Sequence, residues 1–334
     1  MARLKWGVLG TSNFARNKMI PALQQSQHVE VFAIASRSLP RAEAVAAQFG
    51  IAKAYGTYRE LLADKDIDVV YNPLPNHLHV PWSIRALESR KHVLCEKPIG
   101  LSAAEAQQLL EASQRHQGLK VMEAFMYRMH PQWERTKQII DDGGVGELRT
   151  LHSFFSYFNA DGGNIRNQPD AGGGGLMDIG CYLIVTSRML FGEDPLRAAA
   201  AIVRDPASGV DTLTSMTLEF PSGHAIGTCG IRTARHQRVQ MLGSAGRLEV
   251  ETPFSAPPDR PLRLLLDDGT NPYGAGREVI EIPPCNPYRV QGDAFARAVR
   301  SGAPAPYPLE MSVVNMRIIE AVVRSGAKGG WEQI

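Results

Sequence analysis

Two groups of residues in this chain are equipped to move a proton. The first is Lys97, in the stretch His92-Val93-Leu94-Cys95-Glu96-Lys97-Pro98-Ile99. Val93, Leu94 and Cys95 form a short apolar run suited to a buried parallel strand. Pro98 biases Lys97 toward extended geometry, so the strand ends there. A helix pattern follows, opened by Ser102 with Glu105 three residues on, the spacing of a capping box. Lys97 is therefore expected at the carboxyl end of a strand, where open α/β sheets place their ligands. An ammonium held there can bind an anion, polarise a hydroxyl or help carry its proton. The plain alternative is a solvated lysine paired with Glu96.

The second group is Asp178 and Tyr182, in Gly173-Gly174-Gly175-Leu176-Met177-Asp178-Ile179-Gly180-Cys181-Tyr182. The glycine run from Gly172 to Gly175 lacks the Lys-Ser/Thr of a phosphate-binding loop and is expected to be a turn opening a helix. Residues four apart share one helix face. A partly buried carboxylate and phenol on one face suit general acid–base work if a cation is near. The plain alternative is an Asp favoured by the helix dipole and a Tyr packed in the core.

These residues need elements to hold them. Lys5 to Leu9 is expected to be a first strand running into Gly10-Thr11-Ser12-Asn13-Phe14-Ala15, with a helix through about Gln25 containing Pro21. That is a dinucleotide fingerprint in altered form, G-x-S-x-x-A. Gly10 can make the tight turn and Ala15 permits close helix–strand packing. Ser12 limits backbone approach to a pyrophosphate, but its hydroxyl can donate to a phosphate oxygen beside the helix N-terminus. The second strand ends Ala35-Ser36-Arg37, with Arg41 one turn on, while Glu30 lies at the wrong end of the strand. An arginine there suits a 2′-phosphate, so NADP is favoured over NAD. The plain alternative is a surface arginine. The loop carrying Pro73, Leu74, Asn76, His77 and His79 follows the next expected strand. Its two histidines have no Cys or carboxylate cluster with them, so a helix cap and a cofactor-facing loop are expected rather than a metal site.

Strands alternating with helices up to Phe125 predict a doubly wound parallel sheet. Beyond it come His130 to Asp141 as a helix and then alternating runs. These are Leu148 to Phe158, Ala198 to Arg204, Thr212 to Phe220, Ala225 to Ile231, Arg238 to Leu242, Arg247 to Val250, Leu262 to Leu266 and Glu278 to Ile282. Hairpin-spaced strands with one apolar face predict a mostly antiparallel open sheet, closed by helices at Tyr288 to Arg300 and Leu309 to Arg324. The expected division is residues 1–122, an NAD(P)-binding Rossmann domain, and 123–334, an α+β domain for substrate binding and oligomerisation.

The chain has 334 residues, 44% hydrophobic and 21% charged, in keeping with a two-domain globular protein. Lys and Arg number 36 against 34 Asp and Glu, a formal charge of +2 that gives no reason to expect nucleic acid or an anionic membrane as partner. The four cysteines form no C-x-x-C pair, which suits packing in a reducing compartment. No apolar signal stretch, twin arginine or run of bilayer-spanning length is evident, so a cytoplasmic protein is expected.

Taken together, the chain resembles the Gfo/Idh/MocA family of NAD(P)-dependent oxidoreductases over nearly its whole length. The G-x-S-x-x-A turn, the Glu96-Lys97-Pro98 triplet and the glycine–aspartate helix carry the resemblance. Many members have His four residues after that Asp. Tyr182 at this position, with Glu123 to Arg128 and Asn164 to Asn167, resembles the branch of glucose–fructose oxidoreductase, D-xylose 1-dehydrogenase and dimeric dihydrodiol dehydrogenase. The resemblance implies hydride transfer between NADP(H) and a sugar or cyclic diol. It implies that Lys97 and Tyr182 contact the reacting oxygen, that a cation tunes the Tyr182 phenol, and that Asp178 holds substrate or lysine. Glu96 and Arg128 would join the cofactor contacts; Arg166, and Asn286 or Tyr288 near the last helices, would touch substrate. The family implies pairing through the open sheet, as a homodimer or a dimer-based tetramer. A non-catalytic NADP-binding sensor of the same fold is the alternative.

Overall fold

The computed structural model describes residues 2–271 and 273–334. The chain forms two compact units, one of Met1–Met126 with Pro287–Val314, the other of Tyr127–Asn286 with Asn315–Ile334.

The first unit alternates strand and helix: β1 (Leu4–Leu9), α1 (Ile20–Gln24), β2 (Val29–Ala35), α2 (Leu39–Phe49), β3 (Lys53–Tyr55), α3 (Tyr58–Ala63), β4 (Val69–Asn72), α4 (His79–Glu88), β5 (His92–Cys95), α5 (Ala103–Arg115) and β6 (Val121–Glu123). The strands lie in the order β3-β2-β1-β4-β5-β6, every pair parallel. Helices cover both faces, so the strands are nearly continuous apolar runs: Trp6, Val8 and Leu9 of β1 are fully buried, as are Val69, Val70 and Tyr71 of β4. The order reverses between β1 and β4, and ligands of such sheets bind outside the carboxyl ends of the strands at that switch point. The helix expected after β1 is π-wound over Ala15–Met19 before α1 begins. Pro21 has no N–H to close an α-turn on the preceding carbonyls, and π segments recur at functional sites.

The second unit is built on α6 (Pro131–Asp141), β7 (Leu148–Phe158), α7 (Cys181–Phe191), β8 (Arg197–Arg204), β9 (Asp211–Glu219), β10 (His224–Gly230), β11 (Arg232–Gly243), β12 (Arg247–Val250), β13 (Leu262–Asp267), β14 (Glu278–Ile282) and β15 (Trp331–Gln333). Its nine strands run β14-β13-β12-β11-β7-β10-β9-β8-β15. All pairs are antiparallel except β10 with β7. Alternation sets the faces. Leu151 and Ser153 of β7 point inward and are buried, whereas Phe154 and Phe158 point outward. The strand β11 starts six residues earlier than the apolar pattern indicates, because Arg232, His236 and Gln237 pair with β7 on either side of a register shift and carry polar side chains. The three-residue β15 was not expected at all; an edge strand that short shows no alternation. Among the described residues, Pro169–Phe191 is long and apolar enough by composition to cross a membrane, contrary to the expectation that no run is. Its apolar window is 83% buried, making it a core segment of this unit.

The segment Pro287–Val314 belongs with the first unit, although the sequence pattern placed it with the antiparallel sheet. Its helix α8 (Pro287–Ser301) sets Phe295 edge-on against Trp6, centroids 6.0 Å apart, and hydrogen-bonds Asp293 to Ser26. Burying the apolar stripe of α8 on β1 and α1 outweighs proximity in sequence. The last helix, α9 (Leu309–Lys328), contains the division after Val314.

Candidate functional site

Each unit carries a polar centre of its own. In the first, Gly10 ends β1 with φ +86 and its N–H donates to Ala35 O at 2.8 Å. A Cβ at that position would lie 3.2 Å from Leu74 Cδ2. Glycine thus allows both the left-handed turn and the close approach of the Pro73–Leu74 loop. Ser12 Oγ accepts the Ala15 N–H at 3.1 Å, so the serine that replaces glycine caps the turn that follows. Thr11 is half-buried, and Asn13 lies on the surface, where its Oδ1 accepts from Arg16 at 3.0 Å. Phe14 meets Tyr288 edge-to-face with centroids 5.6 Å apart.

At the end of β2, Ser36 is buried and its Oγ accepts the Ser38 N–H at 3.3 Å. Arg37 and Arg41 are exposed, and neither has an ion-pair partner among the described residues. Burial raises the Tyr58 phenol, and the nearby Arg37 guanidinium opposes that rise. Tyr58 Oη would also be 3.7 Å from a Cβ on Gly10. Tyr58 thereby links the glycine turn to the arginine. Sequence reasoning missed it; the signal was the Thr57–Glu60 capping box that places it first in α3.

The loops after β4 and β5 are tied from beneath. Asn72 is fully buried, donating to His79 O at 3.0 Å and Ser83 Oγ at 3.2 Å. His79, which looked like a helix cap, has its ring nitrogens 2.7 Å from Pro98 O and Leu74 O. Burial outweighs those carbonyls and lowers its pKa to about 4. It fastens one loop to the other. Asn76 and His77 stand on a short turn above it, His77 exposed; no metal-ligating cluster occurs among the described residues. Lys97 is half-buried just past β5, with a cis peptide to Pro98. Tyr71 Oη donates to Glu96 Oε1 at 2.7 Å, and the Ile99 N–H donates to buried Glu123 at 2.9 Å. Tyr288 lies in this unit, its phenol raised first by burial and then by the Glu96 charge. Within the first unit it thus neighbours Phe14 and Glu96. A glycine turn at the switch point, a helix start beyond it and two unpaired arginines at the end of β2 fit an adenine dinucleotide with a 2′-phosphate.

In the second unit three segments converge on one oxygen. Tyr157 Oη donates to Asp178 Oδ2 at 2.5 Å and Arg166 Nε donates to the same atom at 2.8 Å. Asp178 sits in a π-wound turn, Leu176–Gly180, rather than the regular helix expected. Asp211, from β9, is buried under that turn, its carboxylate accepting the Leu176 N–H at 2.6 Å and the Thr214 hydroxyl at 3.1 Å. Gly174 has φ +112, and a Cβ there would lie 2.1 Å from Asp211 Oδ1. The glycine run therefore lets a carboxylate cap the turn. Tyr182 follows in α7, buried, its ring stacked on Tyr127 at 5.3 Å and flanked by Phe155 and Phe254 at 5.4 and 5.5 Å. Tyr127 accepts from Thr186 and donates to Tyr182 O. Arg166 is held above its ordinary value mainly by Asp178, with smaller contributions from Tyr157 and Tyr182. Arg166 is thus a cation within electrostatic reach of the Tyr182 phenol. Arg128, expected among the cofactor contacts, is half-buried on the turn Met126–Met129 and falls in this second unit.

With both centres described, the comparisons with known proteins decide the family. Residues 4–125 match the oxidoreductase family with an NAD-binding Rossmann fold, and residues 133–249 match the GFO/IDH/MocA C-terminal domain. The chain belongs to the GFO/IDH/MocA oxidoreductase family. It is 39% identical to a D-xylose 1-dehydrogenase (NADP(+)) of Haloferax volcanii, covering 98% of each chain. It is 34% identical to a mouse trans-1,2-dihydrobenzene-1,2-diol dehydrogenase over 74% of each. Among solved structures it resembles KijD10, a 3-ketoreductase from Actinomadura kijaniata crystallised with NADP and TDP-benzene. That match has a TM-score of 0.90 and 31% identity, covering 97% of this chain and 98% of that one. The chain is an oxidoreductase, with the Rossmann unit and antiparallel-sheet unit of its family.

Proposed function

We propose that this oxidoreductase uses NADP(H) to interconvert a hydroxyl and a carbonyl on a neutral sugar or cyclic diol, with aldose C1 or a dihydrodiol as the reacting carbon. The observation that carries the reading is the Tyr157–Arg166–Asp178 cluster. Its single positive and single negative charge cancel, leaving donors and acceptors but no net charge for a diphosphate. Aromatic rings of Tyr127, Phe155 and Phe254 stand around the adjoining Tyr182. Dense hydrogen bonding beside apolar rings suits a polyhydroxylated molecule. The NADP-dependent xylose dehydrogenase and the dihydrodiol dehydrogenase among the relatives support the same substrate class.

The nicotinamide, when bound, supplies the hydride acceptor or donor. In the first unit, Gly10 and Ser12 shape the phosphate turn and Arg37 with Arg41 face the 2′-phosphate. Glu96 and Lys97 end the strand beside the β4 loop. In the second unit, Tyr182 takes the hydroxyl proton during oxidation and returns it in reduction. A phenol ordinarily near 10 needs a cation to do so at neutral pH; since Asp178 compensates Arg166, that part is proposed for Lys97.

The outer face of the nine-stranded sheet supports a homodimer. Phe154, Phe158, Ile226 and Leu242 share that face and are 40–68% exposed, beside an ionic group of Arg238 and Arg263 with Glu249 and Glu251. An apolar patch of that extent usually marks an interface. The absence of any disulfide among the described cysteines suits a reducing compartment such as the cytoplasm.

The test is a panel of aldoses, inositols and dihydrodiols with NADP and NAD. Turnover with NADP and a free sugar or diol is expected. Tight NADP binding with no turnover on any of them would instead favour a sensor.

A further inference from the structure

We propose that Tyr157 is a positioning residue: its hydroxyl, with Arg166, holds the Asp178 carboxylate ionised and in one orientation, making it a fixed acceptor for a substrate hydroxyl. This rests on the sugar-or-diol reading above and adds the residue that aims its acceptor.

Three segments meet here. Tyr157 lies on the inward face of β7, Arg166 on the short turn Ile165–Asn167, and Asp178 in the π-wound turn. Both donors are on Oδ2, at 2.5 and 2.8 Å, while the Asp178 side chain is 13% exposed and that of Arg166 38%. Two donors on one oxygen, one of them a guanidinium, favour the charged carboxylate over the acid. They also fix the rotation of the carboxyl plane, so the direction in which it can accept is set before substrate arrives.

The charged and titratable neighbours are consistent with this assignment. Tyr157 is pushed well above the ordinary phenol range, first by burial and then by the Asp178 charge, so it stays protonated and donates. Arg166 stays charged for the reciprocal reason. Cys229, on neighbouring β10, is kept as a neutral thiol by burial. Tyr157 thus keeps its proton, while the proton exchange proposed above belongs to Tyr182, so two tyrosines of one unit divide the work.

Tyr157→Phe tests the hydroxyl while keeping the ring. With whichever sugar or diol the wild type turns over, KM for that substrate should rise about tenfold, with kcat within about threefold and NADP affinity unchanged. The acid limb of the kcat/KM profile should move up by about one pH unit, because the carboxylate has lost a donor that favoured its charged form. Arg166→Gln should move that limb further in the same direction, and it serves as the reporter if Tyr157→Phe does not fold. Unchanged KM and an unmoved acid limb in a folded variant would overturn the proposal, even if the melting temperature fell, since that is what a tie between the turn and β7 would give. If the wild type turns over no sugar or diol, it is the substrate reading that fails, and acceptance by Asp178 fails with it.

Discussion

The first unit makes its polar centre from turns at strand ends and leaves its arginines in solvent; the second makes one from side chains of distant segments and cancels the charge within it. Arg37 and Arg41 have no ion-pair partner among the described residues, whereas Arg166 is bound to Asp178 at 2.8 Å. An uncompensated cation at an open strand end selects a phosphate. A compensated one beside aromatic rings selects hydroxyls. The difference suggests that cofactor choice and substrate chemistry are separately encoded in this chain, and that each can be broken without the other.

The largest expected effect lies in the second unit. Tyr182→Phe deletes only a hydroxyl, so NADP affinity should survive while kcat falls by roughly 10²–10⁴, the range for an acid–base group. If Lys97 serves the same proton transfer, adding Lys97→Ala to Tyr182→Phe should cost little more than the worse single change. Steady-state kinetics of the three variants measure this, and multiplying effects would show that the two residues serve different steps. Next comes the first unit. Arg37→Ala should weaken NADP about ten- to a hundredfold and leave NAD nearly unchanged, as loss of a charge-assisted contact would. Equal weakening of both cofactors in calorimetric titration would remove Arg37 as the discriminator.

A smaller effect should be shared by both units. Burial lowers His79 in the first and His130 in the second to about 4, from an ordinary 6.5. Between those values the unfolded chain holds protons the folded chain does not. Stability from neutral burial is therefore complete above about pH 6.5 and is lost as pH falls toward 4. The loss is up to about 1.4 kcal/mol per pH unit for each histidine. Denaturant melts from pH 7 to 4.5 should show that slope, and His79→Gln should reduce it by about one proton; an unchanged slope would mean His79 titrates normally. The smallest change is at the sheet face, where Phe158→Asp should convert a dimer to monomer by light scattering with little loss of fold stability. A wild-type monomer at micromolar concentration would rule out the dimer.

The same contrast governs what could be read from sequence. Gly10, Ser12, Arg37 and Lys97 follow their strands within three residues, so strand and turn signals locate them without tertiary information. The strands at Leu148–Phe158, Arg247–Val250 and Glu278–Ile282 were legible for an equally local reason, their alternation. Tyr157 was not, although it is only 21 residues from Asp178: nothing in an alternating strand says which inward residue meets which helix. Asp211 under Gly174 and His79 between Leu74 and Pro98 are hidden in the same way, since each acts by tying together segments that only the fold brings close. Residues 287–314 went astray because a helix's partner is chosen by its apolar face, here Phe295 on Trp6, and that choice leaves no mark on chain order.

The separation of the two centres is tested most directly by the double variant Arg37→Ala/Tyr182→Phe, measured for NADP affinity and for kcat beside each single variant. The account predicts that Arg37→Ala changes affinity alone and Tyr182→Phe changes kcat alone. The double variant should then show both losses at full size, additive within about 0.5 kcal/mol. Loss of NADP affinity in Tyr182→Phe as large as that in Arg37→Ala, or near-normal kcat in Tyr182→Phe, would contradict it.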